Sequence, residues 1–232
     1  MKSIATDVWQ VQGPGMRMPG GVVMPLNSIV IRLSDKSLLL YSPIKLDDEQ
    51  AAAIDAHGEV KHIVAPNLYH HLYVKAAHER WPSAKVHAAP GLVEKRSDLT
   101  IEHDLGVQPI DASLDVQVIG GAPRVNEAVL FHKPTGSMLV ADFMFNVTEP
   151  KNLRTKFALA MMGVGGKQLK QSRMWNFLGK DRAALRASID RVLTWNIAAI
   201  VPVHGEAVAI TAAELAPKLT RAYKGAVPLP AS

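Results

Sequence analysis

The sequence predicts an α/β protein folded as a four-layer αββα sandwich, in which two β-sheets are stacked between layers of helices. Strand patterns are concentrated in two separate blocks, one near the N-terminus and one in the middle of the chain. Between these blocks strand and helix patterns alternate, and the last third is mainly helical. Because each sheet has an apolar face that helices must cover, this order of blocks favours two sheets with helices outside both.

The first β block and the alternating segment are marked by strand-forming residues and by helix-boundary signals. A helix begins at Asp47, Asp48 and Glu49, because acidic residues favour the positive end of the helix dipole. Pro82 ends the next helix, and Pro90 opens a short one, since proline is tolerated only in the first helical turn. Strands are predicted at 4–11, 22–23, 29–32, 37–41, 62–65 and 85–88, with a glycine-rich turn segment at 13–21 and a helix at 73–81.

The second β block and the helical third follow. A hairpin is predicted across the turn at 133–136, and a buried strand at 198–201 precedes a closing helix at 210–223. Two further helices are predicted from apolar residues at helical spacing, which should face the core. The strands are 116–119, 126–132 and 137–141, and the apolar helix faces are Leu153, Phe157, Met161 and Val164, then Leu185, Ile189, Val192 and Leu193.

Length and composition are those of an ordinary globular protein. The chain has 232 residues, of which 48% are hydrophobic and 20% charged, within the range that one hydrophobic core organises. We therefore assign 1–224 to a single domain and the proline-containing end, 225–232, to a loose C-terminal tail. The net charge of +5 permits an anionic partner without requiring one.

Several locations and partners are disfavoured by the sequence. No apolar run approaches the roughly 20 residues that cross a bilayer, and the N-terminus turns polar where a secretory signal would be apolar. Cysteine is absent, so any metal must be bound by histidine and carboxylate side chains. We expect a cytoplasmic protein that acts on a small molecule rather than on a nucleic acid or a membrane, and the oligomeric state stays open.

Four candidate metal ligands follow predicted strands. His70 and His71 lie where a strand leads into a helix, the usual location of sites in α/β folds, and neutral imidazole is the commonest protein metal ligand. Asp142 and His204 each follow a buried strand directly. Together they offer nitrogen and oxygen donors that suit zinc or iron and leave room for water. The alternative for the histidine pair is that it caps and packs the turn.

The chain resembles the metallo-β-lactamase superfamily, and more narrowly its divergent DUF4336 branch. The resemblance runs from about Ile4 to His204 and rests on the segments APNLYHHLYV, VLFHKPTGSMLVADFMFN and AAIVPVHGE. It implies a metallo-β-lactamase-like αββα sandwich with a metal site at the strand ends, and hydrolysis as the leading activity.

The chain departs from the superfamily at one of its two metal positions. The motif His-x-His-x-Asp-His corresponds to residues 66–71, so Pro66 and Leu68 replace two histidines. No histidine lies at 121–124, near where another ligand is expected, and Ser42 replaces a usual acidic residue. The retained positions imply one Zn or Fe ion, and its ligands would be His70, His71, Asp142 and His204.

The resemblance implies a mononuclear hydrolase, in which Asp142 orients the nucleophile and Tyr69 either donates a hydrogen bond to a developing oxyanion or packs the turn. Residues 151–186 are rich in Lys and Arg, with Asp181 as the only acidic residue. Because these basic residues surround the apolar helix faces, a solvated helix surface is the favoured interpretation; the alternative is a basic lid with a glycine hinge at 163–166, which would favour an anionic substrate. Two alternatives stay open: an iron-dependent oxidoreductase on the same fold, and a non-catalytic binding protein with a vestigial or metal-free site.

Overall fold

The computed structural model describes residues 1–219, and its two main β-sheets correspond to the two β blocks of the sequence. The first part contains β1 (Lys2–Ala5), β2 (Val8–Gln12), β3 (Met16–Met18), β4 (Val22–Met24), β5 (Asn27–Arg32), β6 (Leu38–Tyr41), α1 (Asp48–Asp55), β7 (Val60–Ala65), α2 (Val74–Arg80), β8 (Lys85–Ala88), α3 (Leu92–Lys95) and β9 (His103–Asp104). The second part contains β10 (Leu114–Val118), β11 (Ala128–His132), β12 (Ser137–Val140), α4 (Leu153–Met162), α5 (Trp175–Leu178), α6 (Arg182–Val192), β13 (Ala199–Pro202), β14 (Val208–Ala209) and α7 (Ala212–Leu215).

The larger sheet has seven strands in the order β1-β2-β5-β6-β7-β8-β9, and the smaller has five in the order β10-β11-β12-β13-β14. Pairing in the larger sheet is antiparallel up to β6 and parallel from β6 to β9. In the smaller sheet β11 and β12 form the predicted hairpin, and β13 runs parallel to β12. The carboxyl ends of β12 and β13 therefore lie side by side.

The core has two main layers, as the αββα prediction requires. Leu130 and Leu139 on one face of the smaller sheet belong to the cluster shared with the larger sheet and helices α1 and α2. Met138 and Val140 on the opposite face pack in a second cluster with α6, through Leu185, Ile189 and Val192. Both faces of the smaller sheet are buried, which explains why its strands are nearly continuous apolar runs. The predicted fold class is confirmed.

The N-terminal region differs from the prediction at two places. The expected single strand at 4–11 is two strands, because Asp7 adopts a left-handed φ of 61° and reverses the chain. The segment expected to be only a turn contains β3, which pairs with β4 in a separate two-stranded sheet. The strand was not predicted because β3 has only three residues and is flanked by glycines, which are typical of turns.

Helix α4 presents the opposite face from the one predicted. Leu153, Phe157 and Met161 are 81%, 70% and 60% exposed, whereas Thr155 and Leu159 are buried. Val164, the fourth residue of the predicted face, lies beyond the end of the helix and is buried. Thr155 fixes the orientation, because its hydroxyl accepts a 2.9 Å hydrogen bond from the N–H of Val23 in β4. The helix thus has apolar residues on two faces, and periodicity alone did not distinguish them. In α6 the predicted apolar face is buried as expected.

At the C-terminal end the structure shows α7 followed by a 3-10 turn at Ala216–Leu219, where the sequence predicted one helix over 210–223. The end of that helix and the predicted tail at 225–232 lie outside the described residues. Across residues 1–219, no helix combines the length and the apolar character that a bilayer-spanning segment needs.

Candidate metal centre

Three of the four predicted ligands meet at the carboxyl ends of strands from both sheets. His70 follows β7, Asp142 follows β12 and His204 follows β13. His70 Nε2 lies 3.4 Å from Asp142 Oδ2, and His204 Nε2 lies 3.3 Å from Asp142 Oδ1. The two Nε2 atoms are 3.2 Å apart. We call these three residues the strand-end cluster; each of them offers one donor atom to a common point.

Hydrogen bonds on the far side of each ring orient the two histidines. His204 Nδ1 lies 2.7 Å from the Pro25 carbonyl oxygen. A carbonyl oxygen can only accept, so Nδ1 donates this hydrogen bond and Nε2 faces the cluster. His70 Nδ1 lies 2.9 Å from Ser42 Oγ, which likewise leaves Nε2 facing the cluster. Phe145 stacks on the His204 ring at 4.7 Å between centroids and fixes its plane.

Asn67 shapes the loop that carries His70. Its side chain is fully buried, and Oδ1 accepts hydrogen bonds from the backbone N–H groups of Tyr69 and His70 at 2.9 and 2.8 Å. Its Nδ2 donates to Asp142 Oδ2 at 2.8 Å. One amide therefore fixes both the His70 backbone and the Asp142 carboxylate. Sequence reasoning missed this role, although an asparagine directly after a strand is a recognised turn former.

Glu127 was also missed and holds the turn that carries Asp142. Its buried carboxylate accepts hydrogen bonds from the backbone N–H groups of Ala141, Asp142 and Phe143 at 2.8, 2.8 and 3.0 Å. Burial, followed by repulsion from the Asp142 carboxylate, raises the pKa of Glu127 above its ordinary value. The backbone donors act in the opposite direction. Only the fold brings this residue, which precedes β11, to the end of β12.

Asp142 carries the negative charge of the cluster. Burial by itself would raise the pKa of Asp142, but the charges and hydrogen bonds of His70 and His204 outweigh this effect and hold the pKa well below its usual range. Trp175 Nε1 donates a 2.9 Å hydrogen bond to the Asp142 carbonyl oxygen and fixes the backbone. Asp142 is therefore an ionised carboxylate whose position is set from several sides.

The donor geometry of the cluster fits one metal ion. In a tetrahedral site with metal–ligand distances of about 2.0–2.1 Å, two donors lie about 3.3 Å apart. The three donor–donor distances observed here are 3.2, 3.3 and 3.4 Å. Two neutral imidazoles and a carboxylate are ligands suited to zinc or iron. His70, Asp142 and His204 are therefore the residues that would hold an ion.

The structure does not bring His71 into the cluster, which corrects the expected fourth ligand. Its Nδ1 lies 2.8 Å from Arg96 Nη1, on the other side of the turn. The two adjacent histidines point to different sides, so only His70 faces the strand ends. Burial, followed by the charges of Lys95 and Arg96, lowers the pKa of His71. The neutral His71 ring accepts a hydrogen bond from Arg96 instead of contacting the cluster.

Tyr69, the predicted oxyanion donor, lies at the edge of the site. It is 45% exposed, and Lys95 Nζ lies 5.3 Å from the centroid of its ring. It lines the mouth of an apolar cleft of about 290 Å³ that opens onto the strand-end cluster. Its role as an oxyanion donor stays a prediction.

The basic residues of 151–186 do not line this cleft. Among the described residues, the cleft lining contains no lysine or arginine. Arg154 donates to the Gly20 carbonyl oxygen, Lys170 to that of Gly165 and Arg173 to that of Met161. These three cations are bonded to backbone oxygens, and the part of the segment that does line the cleft is uncharged: Met162, Ser172, Met174, Trp175 and Leu178.

Comparison with known families and structures gives two findings. Residues 7–162 match the family model described as Domain of unknown function (DUF4336). This match includes His70 and Asp142 and ends before His204. A comparison with functionally curated proteins found no significant match.

Solved structures with a similar fold are metallo-β-lactamases. The one from Pontibacter korlensis is 16% identical, with a TM-score of 0.63 over 95% of this chain and 97% of that chain. FIM-1 from Pseudomonas aeruginosa, solved in its mono-zinc form, is 16% identical, with a TM-score of 0.60 over 98% and 96%. The enzyme from Hirschia baltica is 12% identical, with a TM-score of 0.57 over 89% and 90%. At these identities the likeness shows a shared fold alone.

Proposed function

The chain belongs to the DUF4336 family and has the metallo-β-lactamase fold, and we propose that it is a hydrolase that uses one metal ion bound by the strand-end cluster. The observation that carries this proposal is the convergence of two imidazole nitrogens and one carboxylate at distances of 3.2 to 3.4 Å. Zn²⁺ is the first choice of ion because the spacing suits a tetrahedral site.

A bound ion would supply Lewis acidity and lower the pKa of water from about 15.7 to around 7. The chain contributes the remaining features of the site. Ser42 and Pro25 orient the His70 and His204 rings so that Nε2 of each faces the cluster, and Asp142 supplies a negative charge that would orient a nucleophile. The walls of the cleft around the cluster are mostly apolar, so a bound substrate would displace water there and strengthen electrostatic interactions.

The proposed substrate is a small molecule that enters through this cleft. The anionic substrate suggested by the basic segment gains no support from the lining, which has no lysine or arginine among the described residues. An uncharged ester, thioester or amide fits the cleft better than a phosphodiester, because apart from the ion the lining offers a phosphate no cationic partner.

The test is metal analysis of protein purified without chelator, combined with hydrolysis assays on ester, thioester, β-lactam and phosphodiester substrates. We expect about one zinc or iron per chain. His70→Ala, Asp142→Asn and His204→Ala should each remove the ion and the activity, because each deletes a donor. His71→Ala is the matched control and should keep both, since its ring faces Arg96. If His71→Ala loses the ion while His70→Ala keeps it, the ligand assignment is wrong.

The same donor set supports a second candidate function. Two histidines and one carboxylate with open positions are the ligands of non-haem Fe²⁺ oxygenases, so an iron-dependent oxidoreductase is the alternative enzyme. Iron in the anaerobically purified protein, together with oxygen consumption and no hydrolysis, would favour it. Protein without any bound metal, and without metal-dependent activity after loading, would favour a non-catalytic binding protein with a vestigial site.

A further inference from the structure

We infer that the ligand of this site carries an extended apolar group, such as an alkyl or acyl chain, which lies in the cleft above the strand-end cluster. The placement of the ligand's reactive end at the cluster rests on the proposed function. The binding of the apolar group does not, because it depends only on the cleft walls.

The walls of the cleft are apolar and adaptable. Much of the lining comes from the β3–β4 hairpin, the end of α4 and α5, three regions that are far apart in the sequence. Five of the nine methionines of the chain line the cleft. Methionine side chains are flexible and polarizable, and they line protein surfaces that accept varied apolar ligands. This enrichment indicates an adaptable surface that binds apolar groups of varied shape. The five residues are Met16, Met18, Met24, Met162 and Met174.

Large apolar side chains are also left in water around the mouth. Leu72 is 57% exposed, Met174 is 45% exposed and Met18 is 44% exposed, and all three line the cleft. They belong to three separate segments that meet only in the fold. Apolar surface that is contiguous with a concave site is typical of ligand-binding grooves.

The size of the cleft and the position of its polar groups define the ligand further. A cavity of about 150 Å³ holds a benzene ring, and the cleft has about 290 Å³, so it can hold an apolar group larger than one ring. His70, Asp142 and His204 are the charged or ionisable groups of the lining, apart from the tyrosine phenols. The polar end of the ligand therefore belongs at the cluster and the apolar end against the methionines.

The proposal is tested on the metal-free full-length protein by displacement of a neutral apolar dye, Nile red, with n-alkanols of four to ten carbons. Each methylene that enters the cleft should tighten binding about fourfold, until the cleft is filled. Inorganic phosphate should not displace the dye. An affinity that does not depend on chain length would overturn the proposal, as would displacement by phosphate alone.

Two adjacent methionines provide a matched pair of variants. Met162 lines the cleft and is half-buried, whereas Met161 is 60% exposed and does not line it. Met162→Gln should weaken decanol binding at least about fivefold, because an amide is buried without a partner. Met161→Gln should stay within about twofold of the unchanged protein. Equal effects of the two substitutions would count against the cleft.

A further variant keeps the test decisive if Met162→Gln lowers the melting temperature sharply. Met174→Gln changes an exposed residue of the lining and should not affect folding, yet it should weaken decanol binding in the same direction. If Met162→Gln is unfolded and Met174→Gln binds decanol as tightly as the unchanged protein, the proposal is overturned.

The test of the apolar ligand and the test of the proposed hydrolase function can fail independently of each other. Chain-length-dependent binding without hydrolysis by the zinc-loaded protein would refute the hydrolase and support the apolar ligand. Hydrolysis of acetyl and octanoyl esters with equal kcat/KM, without the chain-length increment in binding, would support the hydrolase and refute the apolar ligand.

Discussion

At the scale of single residues, the site depends on side chains that would not themselves bind the metal ion. Asn67 and Glu127 together supply the hydrogen bonds that place the His70 backbone and the Asp142 turn. Both are fully buried, so each loses all contact with water and depends on its partners for compensation. Residues of this kind orient metal ligands and affect metal affinity almost as strongly as the ligands themselves.

Asn67→Ala should weaken zinc binding roughly 10- to 100-fold and lower the free energy of unfolding by about 1–3 kcal/mol, because it leaves buried N–H groups without an acceptor. Competition with a chromogenic chelator and urea unfolding measure the two effects. The control is Asn152→Ala, which removes the N-cap of α4 and should cost about 1 kcal/mol. If the control weakens zinc binding to the same extent, Asn67 acts only through global stability.

The positions of the two replaced histidines predict that one ion is the maximum. The Pro66 carbonyl oxygen accepts a hydrogen bond from the Ala128 N–H, and Leu68 packs against the core. No donor is therefore left there for a second cation, whose desolvation would be uncompensated. Calorimetric titration of metal-free protein with zinc should give one site per chain. Two occupied positions about 3.5–4 Å apart, the spacing of paired-metal sites, would contradict this reading.

At the scale of elements, α4 shows how a packing partner selects one of two apolar faces. Its exposed face carries Leu153 and Phe157, and its buried face carries Leu159, beside the Thr155 hydroxyl that bonds to Val23. Periodicity reports that a helix has an apolar stripe, but the orientation depends on which stripe finds a complementary surface. In α4 the contact that selects the buried face is the hydrogen bond between Thr155 and Val23.

The two leucines of α4 give a prediction with an internal control. Leu159→Ala should lower the free energy of unfolding by about 2–5 kcal/mol, because Leu159 is buried and its removal leaves a cavity. Leu153→Ala removes the same atoms from an 81% exposed side chain and should stay within about 0.5 kcal/mol. Urea unfolding of both variants measures the two changes in the free energy of unfolding. Equal losses would mean that the face bearing Leu153 is covered.

At the scale of the whole molecule, a pair of histidines links stability to pH. His62 on β7 and His87 on β8 are neighbours in the larger sheet, with Nδ1 and Nε2 2.9 Å apart, so one proton is shared between these atoms. Burial, followed by the charges of His62 and His103, lowers the pKa of His87 to about 4. Burial also lowers the pKa of His62.

These depressed pKa values predict a loss of stability in mild acid. Below the unfolded-state pKa of about 6.5 the unfolded chain takes up protons that the folded chain refuses. The free energy of unfolding should therefore fall by up to about 1.4 kcal/mol per pH unit for His87 between about pH 6.5 and 4. Urea unfolding at pH 7 and pH 5 measures this effect. His87→Gln should flatten the dependence, and the control His78→Gln should not; an unchanged slope in His87→Gln would contradict the assignment.

Local pattern in the sequence was sufficient for the fold class, for nearly every longer strand and helix, and for the positions of His70, Asp142 and His204 after strands. These features depend on alternation, helical spacing and the rule that sites form at strand ends, all of which operate over a few residues. Two-residue strands such as β9 and β14 were missed, because a pattern of period two cannot be read from two residues.

Tertiary structure alone decided which histidine of the pair faces the cluster, which face of α4 is buried, and what the cleft is lined with. Glu127 reaches Asp142, and Ser42 reaches His70, only after distant strands have paired. The five methionines of the cleft come from the β3–β4 hairpin, the end of α4 and the residue before α5, and the sequence does not show that these three regions meet. Each of these features depends on contacts between residues far apart in sequence, and their geometry is fixed by how the two sheets and their helices pack rather than by any local propensity.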